Sequence, residues 1–176
     1  MVDEYIVTYA VKEWLISNGW NIVAFNPPRA QGTFTIPNPK KAMGYRGQTG
    51  SKSPDLIAVK NSKFLIIVES KPTFNKNDIE KMVNLFNDKE RTELLLNIVN
   101  KICKANGIPF NCKKSVLVLA KAHGGELNLQ NNVETFHVSI KSGWDHKNFK
   151  ASDRPMDYIQ VEYYPSSKST EVIVKG

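Results

Sequence analysis

Two short apolar runs, Leu56-Ile57-Ala58-Val59 and Phe64-Leu65-Ile66-Ile67-Val68, are separated only by Lys60-Asn61-Ser62-Lys63. Both are rich in β-branched residues and bounded by polar ones, which predicts two strands. So short a connection permits only antiparallel pairing, because a parallel pair needs a crossover of about a dozen residues or more. The middle of the chain is thereby constrained to a β-hairpin. Pro54-Asp55 opens the first run and Glu69-Ser70-Lys71 closes the second, so both acids stand at the open end of the hairpin. Side chains alternate along a strand, which projects Glu69 and Lys71 from one face and Ser70 from the other.

Phosphodiester hydrolysis is a reaction suited to that grouping. It needs charge compensation for the phosphoryl oxygens and a water made nucleophilic at neutral pH, and a hard divalent ion shared by Asp55 and Glu69 supplies both. Lys71, a compact ammonium, can orient the attacking water or stabilise developing charge. As a general base it would need a lowered pKa. An Asp at a strand start and a Glu-x-Lys at a strand end also occur as solvated ends of ordinary α/β proteins, where an exposed ion pair contributes little.

Pro54-Asp55, thirteen intervening residues and Glu69-Ser70-Lys71 together resemble the PD-(D/E)xK motif of the restriction-endonuclease-like nuclease superfamily. The resemblance rests on four signature residues in the first half of the chain. It implies an α/β fold, a single domain whose mixed β-sheet is flanked by helices and whose hairpin carries the site. It implies magnesium as cofactor, with manganese as a substitute, and a metal shell of Asp55, Glu69 and the Ser70 carbonyl. The superfamily includes type II restriction enzymes, junction resolvases, repair nickases and some transposase subunits, and many members bring a Glu from the first helix into the metal site.

In this chain a helix is predicted over Asp3 to Asn18, with Val7, Val11 and Leu15 on one stripe, Trp14 beside it and Gly19 as its stop. Glu4 falls on the same stripe and is the candidate further catalytic acid, although the helix dipole alone also favours an acid in the first turn. Glu13 lies on the opposite side and is the weaker candidate.

The net charge is +7, and its distribution is uneven. No Asp or Glu occurs from Trp14 through Pro54 or from Leu94 through Gly125, while lysines and arginines recur in both stretches. Such stretches suit a polyanion-binding face with salt-sensitive affinity, or a basic surface kept for solubility. Residues 26–52 form an irregular segment rich in Pro and Gly that leads directly into Pro54-Asp55, so it is expected at the mouth of the site. Arg29, Gln31, Lys40, Lys41, Arg46, Gln48 and Lys52 are its candidate DNA contacts, on base edges or on phosphates. Lys147, Lys150 and Arg154 are further candidates in a basic and aromatic stretch, Lys141 to Pro155, which equally suits a solvated loop around a buried Trp144.

Beyond the hairpin, Asn77-Asp78-Ile79-Glu80 has the form of a capping box. Apolar stripes at Ile79, Met82, Val83 and Phe86, then at Leu95, Ile98, Val99 and Ile102, predict two helices before Gly107 and Pro109. Val116 to Ala120 reads as a buried central strand. Lys121 and His123 end it within reach of a ligand, with His123 beside glycines reading rather as a turn residue. Further strands are expected at Val133 to Ile140, Tyr158 to Tyr163 and Glu171 to Lys175. Cys103 and Cys112 match neither a zinc-ligand spacing nor a CxxC motif and read as buried thiols. No signal peptide and no apolar run of spanning length is present, which predicts a cytoplasmic protein without a membrane partner.

One nuclease domain over residues 1–176 is expected: helix and first strand at 1–25, basic loop at 26–52, catalytic hairpin at 53–71, helical region at 76–105 and remaining strands at 115–176. Its expected activity is that of a magnesium-dependent endodeoxyribonuclease acting on double-stranded DNA, of the type II restriction kind or a subunit of one, alone, as a homodimer or with a partner subunit. A structure-specific nuclease or a catalytically silent DNA-binding subunit is the alternative.

Overall fold

The computed structural model describes residues 2–28, 53–141, 144, 155–166 and 172–173. Helix α1 (Glu4–Ser17) is capped by the Asp3 side chain, which accepts from the Tyr5 N–H. It stops where the sequence places a glycine. Gly19 takes a φ of +84°, and the Gly19 and Trp20 N–H groups donate back to the Ile16 and Leu15 carbonyls. That is the left-handed cap for which glycine is suited.

Strand β1 (Asn21–Phe25) runs antiparallel to β2 (Leu56–Lys60), which runs antiparallel to β3 (Phe64–Lys71). Asn61 and Ser62 turn the hairpin with φ values of 55° and 58°. Two left-handed residues give a turn whose twist matches that of the strands. Helices α2 (Lys76–Asn87) and α3 (Lys89–Ala105) then carry the chain to β4 (Val116–His123), which lies parallel to β3. A parallel partner requires such a crossover. Strand β5 (Glu134–Ile140) is parallel to β4, and β6 (Ile159–Tyr164) is antiparallel to β5. The order β1-β2-β3-β4-β5-β6 makes a mixed sheet, and β7 (Val172–Ile173) pairs with the beginning of β4.

Strand alternation divides the core in two. Ile57, Val59, Leu65, Ile67, Leu117 and Leu119 pack with α2 and α3, and Leu56, Ala58, Ile66, Val68 and Ala120 pack with α1. Each fully buried Val, Leu or Ile side chain among them contributes about 1.5–3 kcal/mol. Because β2, β3 and β4 are buried on both faces, they read as continuous apolar runs. Single-domain α/β architecture, with a mixed sheet flanked by helices, is thus what the chain forms. Among the described residues no helix is long and apolar enough to cross a membrane.

Three sequence-based expectations need correction. The cap of α2 is Asn75 rather than Asn77, and its side chain accepts from the Asn77 N–H. Phe74 before the cap and Ile79 in the first turn pack in the same cluster. That apolar staple selects the cap two residues earlier, consistent with the expected helical region from residue 76. The central strand runs beyond Ala120, making His123 a buried strand residue rather than a turn residue. Of the two free cysteines, Cys103 is buried but Cys112 is only partly so, because it lies in a short 3-10 turn before β4.

Candidate active site

The open end of the hairpin is fixed by backbone bonds before any functional side chain is considered. The Asn26 N–H donates to the Asp55 carbonyl at 2.8 Å, and its side-chain amide donates to the Pro54 carbonyl at 2.7 Å. Asp55 thereby enters β2 in one orientation. On the other strand the Ser70 N–H donates to Asp55 Oδ2 at 2.7 Å, tying the acid across to the segment that carries Glu69 and Lys71. Just past β3, the Gly124 N–H donates to the Pro72 carbonyl at 3.0 Å. A Cβ on Gly124 would stand 3.0 Å from that same oxygen, so this close approach calls for glycine.

Asp55 and Glu69 are hydrogen-bonded to each other through their carboxyl groups. Burial pushes Asp55 up to about 6, and the nearby Glu4 charge adds to the rise, against the Ser70 N–H, Lys71 and the Glu69 hydrogen bond. Burial pushes Glu69 further, to about 8, with the Asp55 charge next in effect and Asp78 adding to it. The pair therefore holds a proton between its two carboxyls near neutrality. Two half-buried carboxyls that cannot both ionise unaided form a seat for positive charge.

Lys71 Nζ lies 3.1 Å from Glu4 Oε1, so the first residue of α1 does reach the site. Burial alone would lower the lysine pKa, but the Glu4 hydrogen bond and the charges of Glu4, Asp55 and Asp78 outweigh it and raise the value above the ordinary one. Lys71 is consequently held as an ammonium, which disfavours its use as a general base. Glu4, for its part, has its carboxylate engaged by Lys71. Ser70 is fully buried, its Oγ turned away from Glu69 and without a hydrogen-bond partner among the described residues.

Of this site, sequence reasoning placed Lys121 and His123 within reach of a ligand but missed Phe74 and Asp78. One pocket is lined by Glu69 and Lys71 together with Phe74, Asp78, Lys121 and His123. Asp78 is an acid in the first turn of α2, and its charge acts on both Glu69 and Lys71. The available signal was an acid in the first turn of the helix that follows the motif. Among the described residues no three His, Cys, Asp or Glu side chains gather as a metal cluster. Arg29, Gln31, Lys40, Lys41, Arg46, Gln48, Lys52, Lys147, Lys150 and Arg154 lie outside the described residues. Comparison of the chain with protein-family models, curated proteins and solved structures gives no match.

The raised carboxyls have a consequence for stability. Without a cation, the folded protein holds more protons than the unfolded chain at any pH above the ordinary carboxylate range and below the raised values. Stability is then greatest at acid pH, falls as pH rises above the ordinary carboxylate range, and levels off once the raised values of about 6 and about 8 are passed. Each pH unit crossed with one extra proton held costs about 1.4 kcal/mol, or about 3–6 °C in Tm for a domain of this size. Thermal melts in EDTA at pH 5 and pH 8.5 should show this loss, and Glu69→Gln should reduce it. An identical loss in that variant would contradict the assignment.

Proposed function

We propose that the chain is a divalent-metal-dependent endodeoxyribonuclease of the PD-(D/E)xK kind. The observation that carries this reading is the hydrogen-bonded, half-buried Asp55–Glu69 pair with the Lys71 ammonium beside it. The donor set fits a hard cation, because two carboxylates and a backbone carbonyl are all oxygen ligands. Asp55, Glu69 and the Ser70 carbonyl would hold magnesium or manganese. A bound divalent ion supplies a Lewis acid for the phosphoryl oxygens and lowers the pKa of water.

The chain's own groups do the rest. Asp55 is aimed by the Ser70 N–H, so its position does not depend on a flexible rotamer. Glu4 fixes Lys71 as a charged group that faces the scissile phosphate and stabilises negative charge as it develops. The acid-free stretch leading into Pro54 favours a polyanionic substrate, since carboxylates there would repel phosphate. A single domain with a long basic segment feeding the site favours cutting of duplex DNA in the manner of a type II restriction enzyme.

Glu4 acts on this arrangement through Lys71. Glu4→Gln should lower the cleavage rate by about 10- to 100-fold, as for other groups that orient an active-site residue, with little change in DNA affinity. Single-turnover rates and binding titrations separate the two effects. Wild-type cleavage in Glu4→Gln would remove it from the site.

The reading is tested with supercoiled plasmid and long linear DNA, incubated in magnesium or in EDTA. Discrete magnesium-dependent fragments are expected, and nicked circles would assign single-strand cutting instead. Absence of magnesium-dependent cleavage on plasmid, linear and branched DNA would overturn the proposal.

A further inference from the structure

Beside the carboxyl pair lies a buried cation. Parallel register sets Glu69 of β3 against Lys121 of β4, and Lys71 against His123. Side chains at paired positions share a face of the sheet. Lys121 therefore projects on the Glu69 side, the side on which Leu117 and Leu119 pack against α2 and α3. It lines the same pocket as Glu69 and Lys71.

Lys121 is only 4% exposed, which is rare for a lysine. Its Nζ donates to the Asn128 carbonyl at 2.6 Å and sits 4.1 Å from the centre of the Phe74 ring. Among the described residues no carboxylate forms an ion pair with it. A buried ammonium that lacks an opposite charge is costly, and a carbonyl and a ring face compensate it only in part. An ammonium has three donors, so the Asn128 bond leaves others for a ligand. His123, the neighbour on the same strand, is kept neutral by its own burial, with Lys121 acting in the same direction, so it brings no competing charge.

Resting on the nuclease reading, we propose that Lys121 is a second substrate-contacting cation, which takes a phosphate oxygen of the DNA backbone across the pocket from Lys71. Lys71 shares its charge with Glu4, whereas Lys121 has no carboxylate partner among the described residues, and although burial lowers it to about 8 it stays mainly an ammonium at pH 7. The carboxyl pair is then flanked by two ammonium groups on adjacent strands. A phosphate that enters supplies the counter-charge that the described residues do not.

The test compares wild type with Lys121→Gln and Lys121→Arg. Gln can keep a donor for the Asn128 carbonyl while removing the charge, and Arg keeps the charge. Duplex DNA binding is measured in calcium against salt concentration, and cleavage in magnesium under single turnover, with circular dichroism melts to confirm folding. For Lys121→Gln, the slope of log K against log salt should weaken by about 1, the signature of one lost phosphate contact. Its cleavage rate should fall by about 100-fold or more. Arg should restore the slope. A Lys121→Gln protein with wild-type slope and rate overturns the inference and leaves the nuclease reading intact. Recovery by Gln alone, with loss in Arg, would assign Lys121 to holding the Asn128 loop and would overturn it equally. A wild-type chain that neither cuts nor binds DNA overturns both.

Discussion

Replacing Asp55 or Glu69 with alanine should abolish magnesium-dependent cleavage, a loss of about 1,000-fold or more, because either change removes half of the carboxyl pair that would hold the cation. DNA affinity should persist or rise, since each substitution also removes a charge that repels phosphate. The metal-free Asp55→Ala protein should fold at least as stably as wild type at pH 8, where its loss relieves the pressure on Glu69 to stay protonated. Cleavage assays on plasmid and binding assays in calcium check the two effects separately. Wild-type rates in either variant would refute the assignment of the site.

Lys71→Met should reduce the single-turnover rate by about 100- to 1,000-fold while leaving magnesium affinity nearly unchanged. The expectation follows from the ion pair with Glu4, which holds Lys71 as a cation and away from the role of ligand or base. Lys71→Arg should recover only part of the rate, because a planar guanidinium cannot reproduce the compact charge of an ammonium. A rate for Lys71→Met near that of wild type, or a loss of magnesium affinity comparable to that of Asp55→Ala, would contradict the role given to Lys71.

The hairpin and its acids were legible in the sequence because everything that determines them is local. Two β-branched runs and a four-residue connection set the pairing, and strand alternation set the side of Glu69 and Lys71. Glu4 was legible for a related reason, as an acid on the apolar stripe of α1. Its partner Lys71, by contrast, is a nonlocal fact. Lys121 was harder to place because it interrupts an apolar run, and only the parallel register of β3 with β4 puts it beside Glu69. No local spacing encodes that register, which depends on how the two intervening helices return the chain. The expected helical region begins at residue 76, as α2 does, but its cap is misassigned to Asn77 because Asn75 and Asn77 are equivalent as caps until Phe74 and Ile79 pack together. The proton held between Asp55 and Glu69 was likewise beyond the sequence, since burial is its largest cause.

The cation seat at Asp55 and Glu69 is the centre of this reading, and calorimetric titration of the protein with manganese at pH 7, in buffers of different ionisation enthalpy, tests it most directly. Binding that releases about one proton per cation, and that is lost in Asp55→Asn, is the expected result, because the pair must give up its shared proton to coordinate. Absence of binding, or binding that releases no proton and survives Asp55→Asn, would contradict it.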